Sequence, residues 1–172
     1  MYRYLRLPTC HILLTNRFPD PIYTAMKVVL QRVNRASVTV DDRVVGQIAK
    51  GLLLLVGAGH DDTEDDVRFL ADKCMNLRIF EDEEGKMNLS CLNLEYDVLV
   101  VSQFTLQADC RKGRRPSFTD ALEPVQAEKL CDRFVELCRA EGVKVETGVF
   151  GAKMSIDLEN WGPVTIVLDS KE

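Results

Sequence analysis

Histidine is nearly absent from this chain: 172 residues contain two, His11 and His60. A mechanism built on an imidazole base would have to use His60, on the loop Gly59-His60-Asp61, and a lone loop histidine is more often simply solvated. The six cysteines, Cys10, Cys74, Cys91, Cys110, Cys131 and Cys138, include no C-x-x-C pair, so the spacing of a zinc site is missing. Without a secretory signal they read as reduced, small core hydrophobes in a cytosol-like compartment. Long apolar runs are missing too. The longest purely aliphatic run is Leu52 to Val56, against roughly 20 residues for a membrane-spanning helix. There is no Gly-x-Gly-x-x-Gly or Walker signature and no internal repeat. Neither a metal nor a cofactor is implied.

What is present is the composition of a globular domain: 46% hydrophobic and 28% charged, in a length that suits one domain. The net charge of −5 is unevenly spread. Residues 1–25 carry Arg3, Arg6 and Arg17 against Asp20, 3 − 1 = +2, and the remainder carries 19 basic and 26 acidic groups, −7. An acidic body argues against wholesale binding of duplex DNA, though not against docking of a short single-stranded end. Residues 1–25 hold Pro8, Pro19 and Pro21 and no steady period. They are expected to be an extension, either disordered or an organelle-targeting segment, ahead of a folded domain over 26–172.

From Met26 the periods become regular. Lys27 to Val33 and Ala36 to Val40 are β-rich; Asp41-Asp42 makes a turn into Val44 to Ile48. Leu52 to Val56 reads as a strand buried on both faces. Thr63 begins a helix, with Glu64, Asp65 and Asp66 suited to its positive end and Val67, Leu70, Cys74 and Leu77 on its buried face. Glu81 to Gly85 is a polar turn, and Asp97 to Val101 another apolar strand. Pro124 opens a second helix with Leu130, Phe134, Leu137 and Cys138 as its stripe; Gly142 ends it. Strands near Val143–Thr147, Ala152–Leu158 and Val164–Leu168 follow. The expected class is α/β: one strand-rich domain with two main helices.

Three polar features remain. Ser102, Gln103, Phe104 and Thr105 stand where an apolar strand leaves the core, a common place for a site and equally an ordinary strand end. Asn160-Trp161-Gly162-Pro163-Val164-Thr165 separates two strands. Turn chemistry explains it, and X-Pro bonds are cis in only about 5–6% of folded cases. The run Arg111-Lys112-Gly113-Arg114-Arg115 is a solvated face or, beside a site, a holder of phosphates.

Taken together, Ser102-Gln103-Phe104-Thr105-Leu106 and Asn160-x-Gly162-Pro163-Val164-Thr165 resemble the two signatures of the D-aminoacyl-tRNA deacylases. Met26 to Val33, Gly113 to Phe118 and Gly148 to Met154 are similar to that family as well, in order, across Met26 to Asp169. The family pattern starts at the equivalent of Met26. Trp161 stands where a small or acidic residue is more usual.

The resemblance implies a fold of the deacylase type and hydrolysis of the ester joining a D-amino acid to the tRNA 3′ end. It extends the substrate to glycine, including glycine mischarged on tRNA-Ala. It implies a cytoplasmic homodimer in which a cis Gly162-Pro163 loop reaches the partner's site and admits no L side chain. Ser102, Gln103, Phe104 and Thr105 would be catalytic, Arg32 would fix the Gly-Pro loop, and Phe150, Gly151, Ala152 and Met154 would lie near the terminal adenosine. Backbone N–H groups near Gln103 and Phe104 would stabilise the oxyanion, with the ribose 2′-OH assisting and Thr105 as the competing nucleophile. The basic run would meet phosphates. Rival readings are an editing deacylase for a mischarged L-amino acid, a non-catalytic RNA-binding module, and a cysteine- or metal-dependent hydrolase.

Overall fold

The computed structural model describes residues 24–171; residues 1–23, with most of the expected extension and both Cys10 and His11, lie outside them. Its backbone is organised by one long strand, β1 (Lys27–Val40), which the sequence reads as two. One edge of β1 runs antiparallel to β8 (Ser155–Asp169) almost from end to end. Its other edge is shared, antiparallel, between β3 (Gly51–Gly57) over Lys27–Val33 and β2 (Arg43–Ile48) over Ala36–Val40. Parallel pairing then adds β6 (Asp97–Ser102) to β3, and β7 (Val145–Thr147) to β6. A small hairpin, β4 (Phe80–Glu81) with β5 (Met87–Leu89), forms around the expected polar turn.

The doubly buried character of β3 follows from its leucines. Leu52, Leu54 and Val56 join a core with Val98 and Val100 of β6 on the helical side. Leu53, with Leu99 and Val101, joins a second core on the opposite side with Val33, Val38 and Ile48. Each fully buried leucine contributes about 1.5–3 kcal/mol relative to exposure. The helices α1 (Glu64–Asn76) and α2 (Pro124–Ala140) cover the first face, burying Val67, Leu70 and Cys74 from one, and Phe134 and Cys138 from the other. Leu77 falls just past the end of α1, where its N–H caps the helix by donating to the Lys73 carbonyl.

The start of α1 is fixed electrostatically. The Asp66 carboxylate accepts from the Thr63 N–H and hydroxyl and from Lys171 Nζ at 2.6 Å. Burial opposes its ionisation, yet the bonds from Lys171 and Thr63 outweigh burial and bring its pKa down to about 2. Lys171 thereby ties the end of the described chain to α1. Among the described residues no helix is long and apolar enough to cross a membrane.

Candidate active site

At the carboxyl ends of the parallel strands β3 and β6 the sheet opens into a cavity of about 600 Å³. This is where parallel strands generally present a site. Val56 pairs with Ser102 across these ends, and the Gln103 N–H continues the ladder by donating to the Val56 carbonyl at 2.7 Å. The chain then turns into a short 3₁₀ helix, Phe104–Gln107. Gln107, almost fully buried, anchors this turn by donating to the carbonyls of Ala25 at 2.8 Å and Gly57 at 2.9 Å. Gly57 is needed there: a Cβ would lie 2.6 Å from the Gln103 carbonyl oxygen.

The cavity brings together Ser102, Gln103 and Phe104 with Phe150, Gly151, Ala152 and Met154. These two groups are far apart in sequence. Periodicity alone does not show the third wall, Phe118, Ala121 and Leu122 running into Glu123 and Pro124 at the start of α2. Glu123 caps α2, its side chain accepting from the Gln126 N–H. Only part of this is signalled in the sequence: the proline marks the first helical position, whereas glutamate is not among the favoured cap residues.

Several expected chemical roles meet their geometry here. Thr105 is exposed, and the cavity lining does not include it. Its hydroxyl accepts from Gln103 Nε2 at 2.5 Å, with no base bonded to it among the described residues. The Gln103 N–H is spent on Val56, so it is not free for an oxyanion. The Phe104 N–H, at the start of the 3₁₀ helix, has no acceptor among the described residues. Cys131 lies on the cavity wall, but burial and the nearby Asp132 and Glu128 push its thiol up to about 12, which disarms it as a nucleophile. Cys91 and Cys138 are likewise pushed up to about 12 by burial. His60 is committed elsewhere. Its ring Nε2 meets the Thr119 carbonyl and its N–H donates to Asp120, tying two loops together.

Arg32, Gly162 and Pro163 do not line this cavity; they form a second centre on β1 and β8. Gln31 pairs with Thr165 and Val33 with Asn160, so Trp161 to Val164 bulge out opposite Arg32. What the sequence reads as a turn between two strands is thus an excursion within one. The Gly162–Pro163 peptide bond is cis, and both residues are exposed. Gly162 sits at φ +143°, and a Cβ on it would come within 2.8 Å of the Val164 side chain.

The base of this loop is closed by side chains. Asn160 accepts from the Val164 N–H and donates to the Val164 carbonyl, both at 3.0 Å. Arg32 is 2% exposed and donates to the carbonyls of Trp161 at 2.9 Å and Ile79 at 2.5 Å. The Trp161 ring contacts two cations, with the Arg32 guanidinium 4.8 Å and the Lys50 ammonium 4.9 Å from its centroid.

The comparisons with known proteins agree with this architecture. A D-aminoacyl-tRNA deacylase of Clostridium perfringens is 58% identical over 147 residues, covering 86% of this chain and 99% of that protein. One of Bacillus cereus is 60% identical over 146 residues, covering 85% and 100%. A solved structure described as a c-Myc DNA unwinding element binding protein is 41% identical with a TM-score of 0.78, covering 83% of this chain and 97% of that one. A probable eukaryotic D-amino acid tRNA deacylase shares the fold at 22% identity and a TM-score of 0.74, covering 84% and 99%. The family model for D-Tyr-tRNA(Tyr) deacylase matches residues 29–169, and the chain belongs to that family.

Proposed function

We propose that this protein hydrolyses the ester bond of D-aminoacyl-tRNA, releasing the free D-amino acid and tRNA. The observation that carries the reading is the cavity itself. It joins the Ser102-Gln103-Phe104 turn to the Phe150–Met154 loop in a chain closely related to deacylases along nearly its whole folded length. Proofreading of this kind needs little acid–base machinery from the protein. An ester carbonyl needs its developing negative charge met by a donor, and the Phe104 N–H, without an acceptor among the described residues, supplies it in this reading. Water is activated by the ribose 2′-OH of the terminal adenosine, and Phe150, Gly151, Ala152 and Met154 hold that nucleoside. A protein-derived general base is then unnecessary, in keeping with a cavity lining that contains no histidine among the described residues.

In this proposal the chiral filter comes from a second copy of the chain. Gly162 and Pro163 are exposed on a braced loop and are absent from the lining of their own cavity. A homodimer in which each loop enters the other copy's cavity completes the site. Backbone carbonyls there take the substrate ammonium and leave no volume for an L side chain, while a D side chain points away. Glycine has no side chain to reject, so glycyl-tRNA, including that mischarged on tRNA-Ala, is also a substrate. In this proposal the deacylase domain spans residues 26–172; without direction to an organelle by the segment before it, the protein acts in the cytoplasm.

The test compares D-Tyr-tRNA with L-Tyr-tRNA, and D-Tyr-tRNA with the same substrate ending in 2′-deoxyadenosine. Cleavage of the D ester alone, lost with the deoxy end, is expected. Cleavage of the L ester would overturn the filter, and undiminished cleavage of the deoxy substrate would overturn the RNA-assisted route.

A further inference from the structure

Beside the cavity is a surface that the hydrolytic step does not use. Phe104 is 58% exposed and Phe118 37% exposed, with their rings edge to face at a centroid distance of 5.1 Å. Both line the cavity, so the pair stands on its rim. Large aromatic faces left in water beside a site are free to stack on a planar ligand. Directly before Phe118, Asp109 and Ser117 pair through two backbone bonds of 2.8 and 2.9 Å, so the residues between them stand out as a hairpin loop.

That loop carries four cations, but the structure separates one from the rest. Arg111 is engaged by Asp109, with Nε 2.8 Å and Nη2 2.7 Å from its two carboxylate oxygens. The pairing holds the Asp109 carboxyl well below the usual carboxylate range. Lys112, Arg114 and Arg115 are exposed and make no ion pair among the described residues. They form a local excess of positive charge on a chain of net charge −5. Exposed aromatic faces beside uncompensated cations suit a single-stranded nucleic acid, whose unstacked bases offer π-faces and whose backbone offers phosphates. A duplex would need a wider basic surface than this acidic body presents.

We propose that the loop and the aromatic rim form a track for the single-stranded 3′ end of the RNA. Phe118, with Phe104 beside it, stacks a base upstream of the terminal adenosine. Lys112, Arg114 and Arg115 hold phosphates on its 5′ side, and Arg111 takes no part. The inference rests on the deacylase reading for its substrate and adds how the enzyme favours an aminoacylated RNA over a bare aminoacyl nucleoside.

The experiment uses the full chain and two esters, D-Tyr-tRNA and D-tyrosyl-adenosine, which has no phosphate. In the Lys112→Ala/Arg114→Ala/Arg115→Ala variant, KM for D-Tyr-tRNA rises about tenfold or more, and the slope of log KM against log salt falls by about 2. Turnover of D-tyrosyl-adenosine stays within about twofold of the unmodified protein. Phe118→Leu raises KM for the tRNA by about fivefold or more, and Phe118→Tyr restores it. Equal losses on both esters, or an unchanged KM and salt slope for the tRNA, would overturn the track. If the unmodified protein cleaves neither ester, the deacylase reading fails by itself. Fluorescence anisotropy then decides the track, using a labelled single-stranded RNA ending in ACCA. Binding weakened about tenfold in the triple variant supports it, and equal binding by both proteins overturns it.

Discussion

The Ser102–Thr105 turn ends a strand and the Gly162–Pro163 loop interrupts one, and the second leans more heavily on side chains. The first is held through the main chain by Gln103 N–H to Val56 and Leu106 N–H to Gln103, and from beneath by one buried side chain, the Gln107 amide donating to two backbone carbonyls. The side chains of Ser102, Gln103 and Phe104 are left over for the cavity. The second is held by side chains, Asn160 across its base and Arg32 behind it, with Trp161 against Arg32 and Lys50. Main-chain scaffolding tolerates change in the residues it displays. Side-chain bracing concentrates the support in a few residues, and single substitutions reach it.

The largest effect is therefore expected at Arg32, which belongs to no cavity wall. Arg32→Ala leaves the buried Ile79 carbonyl and the Trp161 carbonyl without their donor, at a cost of about 3 kcal/mol or more. The same change releases the loop, and deacylation of D-Tyr-tRNA falls on the order of a hundredfold. Lysine keeps a charge but not a planar fork that serves two carbonyls and stacks on Trp161, so Arg32→Lys recovers only part of the loss. Denaturant unfolding and single-turnover deacylation measure the two effects separately. An Arg32→Ala protein with unchanged stability and rate would remove the basis for the contrast.

This difference also governs what the sequence reveals. Leu52 to Val56 announces a doubly buried strand because its leucines leave no polar face, and the structure buries them in two cores. The helices are legible from caps and stripes for the same local reason. The continuity of β1 and β8 is not, because it is set by pairing across the sheet and a bulge registers in sequence as a turn. Within the site, the strand end at Ser102 is visible as apolar residues giving way to polar ones. The wall from Phe118 to Pro124 is not, since those residues reach the cavity only through the fold. The engagement of Arg111 by Asp109 could be read as a short-range opposite-charge pair. The freedom of its three neighbours could not, because it depends on which other side chains come near.

A smaller effect is expected at Thr105, where a motif residue projects from the main-chain-held turn. Its hydroxyl receives a bond from Gln103 and meets no base among the described residues. Thr105→Ala lowers the single-turnover rate by about fivefold or less and shifts stability by no more than about 0.5 kcal/mol. Loss of a nucleophile would instead cost about a thousandfold or more. A loss of that size would show that this turn depends on one side chain after all.

The last effect depends on pH and lies at a titrating side chain that supports the cavity's wall. Asp62 accepts from the Gly59 N–H at 2.6 Å, and Gly59 bridges Ala121 of the wall. The Asp62 Oδ1 is buried without a partner among the described residues. Burial, with the Asp66 carboxylate nearby, lifts its pKa to about 6 against the lowering bonds from Gly59 and Met26. Between about pH 4 and 6 the folded protein therefore keeps a proton that the unfolded chain has released, and this group's contribution to stability falls as pH rises through that window. Asp62→Asn keeps the acceptor for Gly59 and removes the charge. Relative to the unmodified protein it should gain on the order of 1 kcal/mol at pH 8, partial exposure allowed for, and almost nothing near pH 4. Unfolding at the two pH values measures the difference. An equal change at both would mean that Asp62 acts through packing alone.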